Sequence, residues 1–260
     1  MQITHLKNTC KNIRENILKL SFKAKTGHIA SNLSVVEIVF TVLYQKYHEK
    51  DKIEFILSKG HASIAYFSCL LNFKKITNKQ LGTIFQNNSK FGGHVTSNIS
   101  EIIFSTGSLG HGLPYAAGLS YALNLKKSKS KVIVVISDGE LNEGTTWETF
   151  LIASHHKLKN LCVIIDNNKF QALGRTKNIL DMGNLKKKIL SFGADVEETD
   201  GHDILKIKKF INKKTSSFKV LIAHTIKGAG IEFMEDKLLW HYKSMSQEDL
   251  DDATRDLRTL

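Results

Sequence analysis

One proline, Pro114, stands in the whole 260-residue chain, and the cysteines number three: Cys10, Cys69 and Cys162. Their scattered positions make neither a disulfide framework nor a zinc pattern, and each sits among apolar neighbours, as a reduced core thiol does. That pattern points to a cytoplasmic setting. No apolar run reaches 18 residues, so no membrane-spanning helix is expected. The first twelve residues are polar and lysine-containing, unlike a secretory signal. Arginine is also scarce. Of 37 basic residues only Arg14, Arg175, Arg255 and Arg258 are arginines, although the formal net charge is +12. Bidentate readout of bases and phosphates favours the guanidinium, and the lysines cluster only briefly at 126–131, 186–188 and 206–214. A dedicated nucleic-acid reader is therefore not expected. A solvated basic surface, or a site for phosphorylated metabolites, fits better.

What the chain does contain is a strand–helix–strand unit from Lys131 to Thr176. Val132–Ile136 and Leu161–Ile165 are continuously apolar, as strands buried on both faces are. The first runs into Ser137-Asp138-Gly139-Glu140 and the second into Asp166-Asn167-Asn168, with an amphipathic segment between. A right-handed crossover would lay these strands side by side and parallel. Asp138 and Asn168 would then meet at the carboxyl edge of the sheet, where open α/β sheets bind ligands. A carboxylate and an amide oxygen suit a hard cation such as Mg²⁺, which in turn suits a diphosphate. An Asp-Gly after a strand is also an ordinary turn, and the pair alone leaves both readings open.

Around this unit, apolar residues at 3, 6, 10, 13, 17 and 20 predict a helix, and Thr26-Gly27-His28 a loop. Ser34 and Glu37 read as a capping box for a helix through Leu43. Ile53–Leu57 is a short strand, followed by Ser58-Lys59-Gly60-His61 and a small-residue helix through Leu71. Residues 76–105 read as a long surface loop with a short helix near 78–85. An alanine-rich helix spans about Leu113 to Leu125, with Pro114 in its first turn. Further helices are expected at 184–190 and 204–211, a short strand after Gly193, and a buried strand at Val220–Ala223. The remainder from Ile226 carries Lys227-Gly228-Ala229-Gly230 and Trp240-His241-Tyr242. No repeat or linker divides the chain, so residues 1–260 are expected to form one α/β domain, a three-layer sandwich with a mostly parallel central sheet.

Three glycines between Gly107 and Gly112, just before a helix, allow a backbone to approach an anion closely. The order is neither the dinucleotide fingerprint nor a P-loop, and a packing turn explains it equally well. Of eleven histidines, His28, His61, His94 and His111 stand beside glycines in predicted loops, and His241 lies between two aromatics. A structural role suits any one of them. Together they suggest a polar pocket that holds hydroxyls or phosphates and moves protons. Asp138, Glu140 and Glu143 form the acidic set. No G-x-S-x-G elbow or Cys–His pairing supports a covalent hydrolase.

Taken together these residues resemble the thiamine-diphosphate enzymes, most closely the N-terminal half of transketolase. That superfamily's Gly-Asp-Gly, some thirty residues, then Asn-Asn stands here as Ser137-Asp138-Gly139 to Asn167-Asn168. Thr26-Gly27-His28, Ser58–His61, Gly92-Gly93-His94, Thr106–Gly112 and Lys227–Gly230 leading to Trp240-His241 match in order, over practically the whole chain. The resemblance implies the thiamine-diphosphate-binding fold, specifically its diphosphate-binding module. It implies that Asp138, Asn168 and the main-chain oxygen of Phe170 hold Mg²⁺ (or Ca²⁺). His61, the Gly107-Ser108-Leu109 backbone, Gly139, Glu140 and His241 would surround the cofactor. His28, His94 and His241 would line the channel to its reactive carbon, and Glu143 would lie near the paired site as an acidic relay.

The implied reaction moves a two-carbon ketol unit from a ketose, or its phosphate, to an aldose. Serine replaces the motif's first glycine at 137, a change small enough for binding to survive. The family's pyrimidine-binding domain has no counterpart here. It is expected on a separate C-terminal-type chain, in an α2β2 heterotetramer. Competing readings are the α-type component of a 2-oxo-acid dehydrogenase, a deoxyxylulose-phosphate-type synthase, a transketolase-like enzyme of specialised sugar synthesis, and a basic binding module without catalysis.

Overall fold

A computed structural model describes residues 3–259. The chain begins with α1 (Ile3–Ala24), α2 (Ile29–Ser34) and α3 (Val36–Tyr47), which lead into β1 (Ile53–Leu57). Next come α4 (Ser63–Asn72), the one-turn α5 (Asn78–Leu81) and α6 (Gly112–Leu125). β2 (Lys131–Ser137), α7 (Gly144–His155) and β3 (Leu161–Asn167) are the strand–helix–strand unit expected from the sequence. A two-residue hairpin, β4 (Phe170–Gln171) with β5 (Gly174–Arg175), precedes α8 (Thr176–Ile179) and α9 (Leu185–Ser191). β6 (Asp195–Asp200), α10 (Ile204–Asn212), β7 (Lys219–His224) and α11 (Gln247–Thr259) complete the order. Five of these strands, all parallel, form the central sheet in the order β1-β2-β3-β7-β6.

Strand periodicity builds the layers. Along β2, Ile133 and Val135 join a core with α1, α3, α4 and α10, whereas Val132, Val134 and Ile136 join another with α6, α7 and α9. Side chains alternate across a strand, so a continuously apolar strand must be covered on both faces. The result is the expected three-layer α/β sandwich. No helix among the described residues is long and apolar enough to cross a membrane.

Three local expectations need correction. The Ser34–Glu37 capping box does not form: the N-cap of α3 is Val35, without a side-chain bond. Ser34 Oγ instead donates to Asp166 Oδ2 at 2.8 Å, and Glu37 accepts from Arg14. At this depth a charged tertiary partner outweighs a local cap. Residues 76–105 are not a surface loop either. The helix there ends at Leu81, and Ile76, Leu81, Ile84, Phe91, Val95, Ile99 and Ile102 are buried, pinning the segment to the core. Finally, the remainder after Ile226 ends in a helix that periodicity had not marked. Ala253 and Leu257 of α11, four residues apart, bury the narrow apolar stripe of an otherwise charged segment.

Candidate active site

The carboxyl ends of β2 and β3 bring the acid and the amide together. Ser137 pairs with Asp166 in the ladder, and the Asp138 N–H donates to the Asp166 carbonyl at 3.2 Å. Asp138 is buried, with Oδ1 accepting from Gly139 N–H (2.9 Å) and Oδ2 from Lys169 N–H (2.6 Å). Asn168 Oδ1 accepts from Phe170 N–H at 3.0 Å, and its amide donates to Asp166 Oδ2 at 3.3 Å. Burial, and then the charge of Asp166, push the Asp138 carboxyl up to about 7. A buried carboxylate disfavoured in this way is relieved by a cation. The Asp–Asn–carbonyl set supplies the oxygen donors that Mg²⁺ or Ca²⁺ takes. The residues therefore fit the expected metal.

Beside this edge lies a cavity of about 230 Å³, walled by His28, His61, His94, His241, Gly107, Leu109, Ser137, Gly139, Asn168 and Phe170. His28 N–H donates to the His241 carbonyl at 2.8 Å, tying the first loop to the last. The His28 ring centroid is 4.9 Å from that of His241 and 5.2 Å from that of His61. Burial is the chief cause that lowers all four imidazoles, to about 4 for His28 and about 3 for His241. For His28, His61 and His241, neighbouring lysines and imidazoles push in the same direction. The cluster is neutral at physiological pH, suited to hydrogen bonding with hydroxyls.

Four of the expected residues do not line this cavity. Asp138 lines a second hollow with Leu141, Asn167 and Lys169. Glu140 does not line the cavity: it accepts bonds from Ser58 Oγ, Gly110 N–H (3.0 Å) and Ser137 N–H (3.2 Å). A fully buried carboxylate must collect donors, and these three bind it inside the fold, where it fixes the Gly107–Gly112 loop against β2. Ser108 is exposed and outside the wall formed by its neighbours. Glu143 is exposed at the start of α7, packed on Gly110. Ser137 lines the cavity, and its Oγ accepts from Glu140 N–H at 3.2 Å.

Sequence reasoning missed Lys59 and Ser31, which line the cavity, and Lys227, which bonds to two of its lining residues. Lys227 is fully buried, and its ammonium donates to Ser31 Oγ (3.2 Å) and to His241 Nδ1 (3.1 Å). That leaves Nε2 of His241 to carry the ring proton. Burial, and then Lys59, lower the Lys227 ammonium to about 8. Lys227 lay within a matched segment, but a lysine in so basic a chain gives no signal of burial. A larger hollow of about 580 Å³ at the opposite end of the sheet holds six lysines but no histidine or acid. Among the described residues, the histidine cluster and the acid–amide pair converge at the carboxyl edge.

A parallel α/β sheet with a buried carboxylate and amide beside a neutral histidine pocket at its carboxyl edge is the arrangement of a ligand-binding α/β enzyme chain. The family described as "Transketolase, thiamine diphosphate binding domain" matches residues 7–258, and the chain belongs to it. One of the named subunits of apulose-4-phosphate transketolase from Actinobacillus succinogenes is 38% identical, covering 97% of this chain and 96% of the relative. Its namesake from Phocaeicola vulgatus is 31% identical, covering 99% and 95%. Human transketolase is 30% identical over 92% of this chain, which spans 40% of that protein. The crystal structure of Campylobacter jejuni transketolase superposes with a TM-score of 0.87 at 25% identity, covering 99% of this chain and 43% of that one. The chain is thus a transketolase-like transferase component whose cofactor is thiamine diphosphate.

Proposed function

We propose that this chain is the diphosphate-binding half of a two-chain transketolase, completed by a separate pyrimidine-binding chain in an α2β2 assembly. The observation that supports the proposal is the parallel pairing of β2 with β3, after which Asp138 and Asn168 leave the sheet at the same edge, Asn168 lining the histidine cavity. Asp138, Asn168 and the Phe170 carbonyl would hold Mg²⁺ or Ca²⁺. Gly139, the Gly107–Leu109 backbone, His61 and Lys227 would receive the diphosphate, with Glu140 keeping the glycine loop in place. Thiamine diphosphate, when bound, would supply the nucleophilic carbon needed to break and form the carbon–carbon bond beside a ketose carbonyl. His28 and His241, held neutral, position substrate hydroxyls, and His241 donates through Nε2. His94, exposed at the mouth, orients the entering sugar. Glu143 faces outward, where a partner's group can meet it.

Two of the relatives of matching length are named for apulose 4-phosphate, and a phosphorylated ketose of that kind is the proposed donor. The test is reconstitution. The chain alone should show no ketol transfer, and the assembly with its partner should transfer from apulose 4-phosphate within a panel of ketose phosphates. Robust transfer by the chain alone would contradict the two-chain reading.

A further inference from the structure

Arg14, Glu37 and His202 make a chain of contacts that the catalytic site does not contain but that ends on it. Arg14 of α1 is buried and clasps Glu37 of α3 with two bonds, Nη1 to Oε1 at 2.5 Å and Nη2 to Oε2 at 2.8 Å. Glu37 Oε2 also meets His202 Nδ1 at 2.8 Å. The other ring nitrogen, Nε2, accepts the Ile226 N–H at 3.0 Å. An acceptor nitrogen carries no proton, so the proton sits on Nδ1 and is donated to Glu37. At the other end of the loop, Arg14 Nε donates to the Ala229 carbonyl at 2.9 Å. The two ends of the triad therefore grip residues 226 and 229, and Lys227 lies between them.

Two further bonds hold the loop, one to α2 and one to the segment after the loop in the chain. Gly228 N–H donates to the Ala30 carbonyl at 3.0 Å, next to Ser31, the partner of Lys227. Asp236 N–H donates to the Lys227 carbonyl at 2.9 Å. Burial raises the Glu37 carboxyl, but the Arg14 charge and the bonds from His202 and Arg14 override it and lower it to about 2. Glu37 is thus a permanent anion and a firm acceptor for Nδ1. Well-packed apolar residues often stabilise a fold as well as a buried ion pair does, so stability alone does not explain the triad.

We infer that the Arg14–Glu37–His202 triad positions Lys227 in the cofactor site by holding the 226–229 loop at both ends. His202 acts as a fixed Nδ1–H tautomer that aims an acceptor at Ile226. It is a positioning residue and touches no ligand. The inference rests on the proposed role of Lys227 toward the diphosphate, and its test separates the two.

Three variants of the full chain discriminate. His202→Gln keeps an acceptor near the place of Nε2, His202→Asn keeps only a donor near that of Nδ1, and His202→Ala keeps neither. Hydrogen exchange of residues 225–230 should stay slow in the Gln variant and quicken in the other two. Thiamine diphosphate affinity in the presence of Mg²⁺, read from quenching of Trp240 and Trp147, should weaken about tenfold in the Asn and Ala variants, the scale of one lost buried hydrogen bond. The Gln variant should stay near wild type. Because His202 acts through Lys227, His202→Ala combined with Lys227→Met should bind no more weakly than Lys227→Met alone. Additive losses, or a Gln variant that behaves as Ala in both readouts, would overturn the inference. Unchanged affinity in Lys227→Met would instead overturn the reading of Lys227 as a diphosphate ligand, and exchange of the loop would still decide whether His202 holds it.

Discussion

Lys59 and Asp166 form an ion pair in which neither side chain has any exposure to solvent. Lys59 follows β1, and Asp166 lies near the end of β3, so the pair ties the edge of the sheet to its centre across β2. Asp166 is also the acceptor for the hydroxyls of Ser34 and Thr225 and for the amide of Asn168. This buried carboxylate sets the orientation of a proposed metal ligand it does not replace.

Removing one partner strands the other charge in the interior, which costs about 3–5 kcal/mol. Asp166→Asn and Lys59→Met should each lower the unfolding free energy by that amount in denaturant titrations. Lys59→Met with Asp166→Leu should recover part of the loss. Single variants that unfold like wild type would contradict the pair's structural role.

His28 and His241 titrate near 4 and 3 in the fold, against 6.5 when unfolded. The folded state therefore binds protons less readily than the unfolded chain. The stability this contributes is complete above pH 6.5 and is lost as pH falls toward 4 and then 3. Denaturant midpoints of His28→Asn/His241→Asn and of wild type, measured across this range, should give a flatter curve for the double variant. Parallel curves would show that the two imidazoles are not held neutral.

Gly110 has φ +80°, and an added Cβ would lie 2.5 Å from Thr145 Oγ1 and 2.7 Å from Glu143 Cβ. Gly118, inside α6, meets nothing within 4 Å. Gly110→Ala should cost about 1–3 kcal/mol through backbone strain and weaken cofactor binding by shifting Gly107–Leu109. Gly118→Ala should gain up to about 1 kcal/mol from helix propensity. Thermal unfolding of both variants checks the contrast, and equal effects would contradict the tight turn.

The sheet was legible because β2 and β3 are uninterrupted apolar runs flanked by turn residues, a pattern with few alternative folds. That Asp138 and Asn168 leave β2 and β3 at the same sheet edge followed from chain length and crossover handedness. The roles of Ser34 and Glu37 were misread because their local spacing matched a cap, whereas their partners, Asp166 and Arg14, lie 132 and 23 residues away. Lys59 and Lys227 were invisible as buried cations, since nothing local marks which of many lysines enters the core. Glu140 shows the same limit: the resemblance implied a place beside the cofactor, and only tertiary contact reveals that it accepts from Ser58, Gly110 and Ser137.

The central claim is that a metal ion at the β2–β3 edge anchors the cofactor diphosphate. It is tested most directly by titrating thiamine diphosphate into the full chain with and without Mg²⁺, for wild type and Asp138→Ala. Wild type should bind in a Mg²⁺-dependent manner, and Asp138→Ala, while remaining folded, should lose that dependence together with most of the affinity. Equal, metal-independent binding by both proteins would contradict the account.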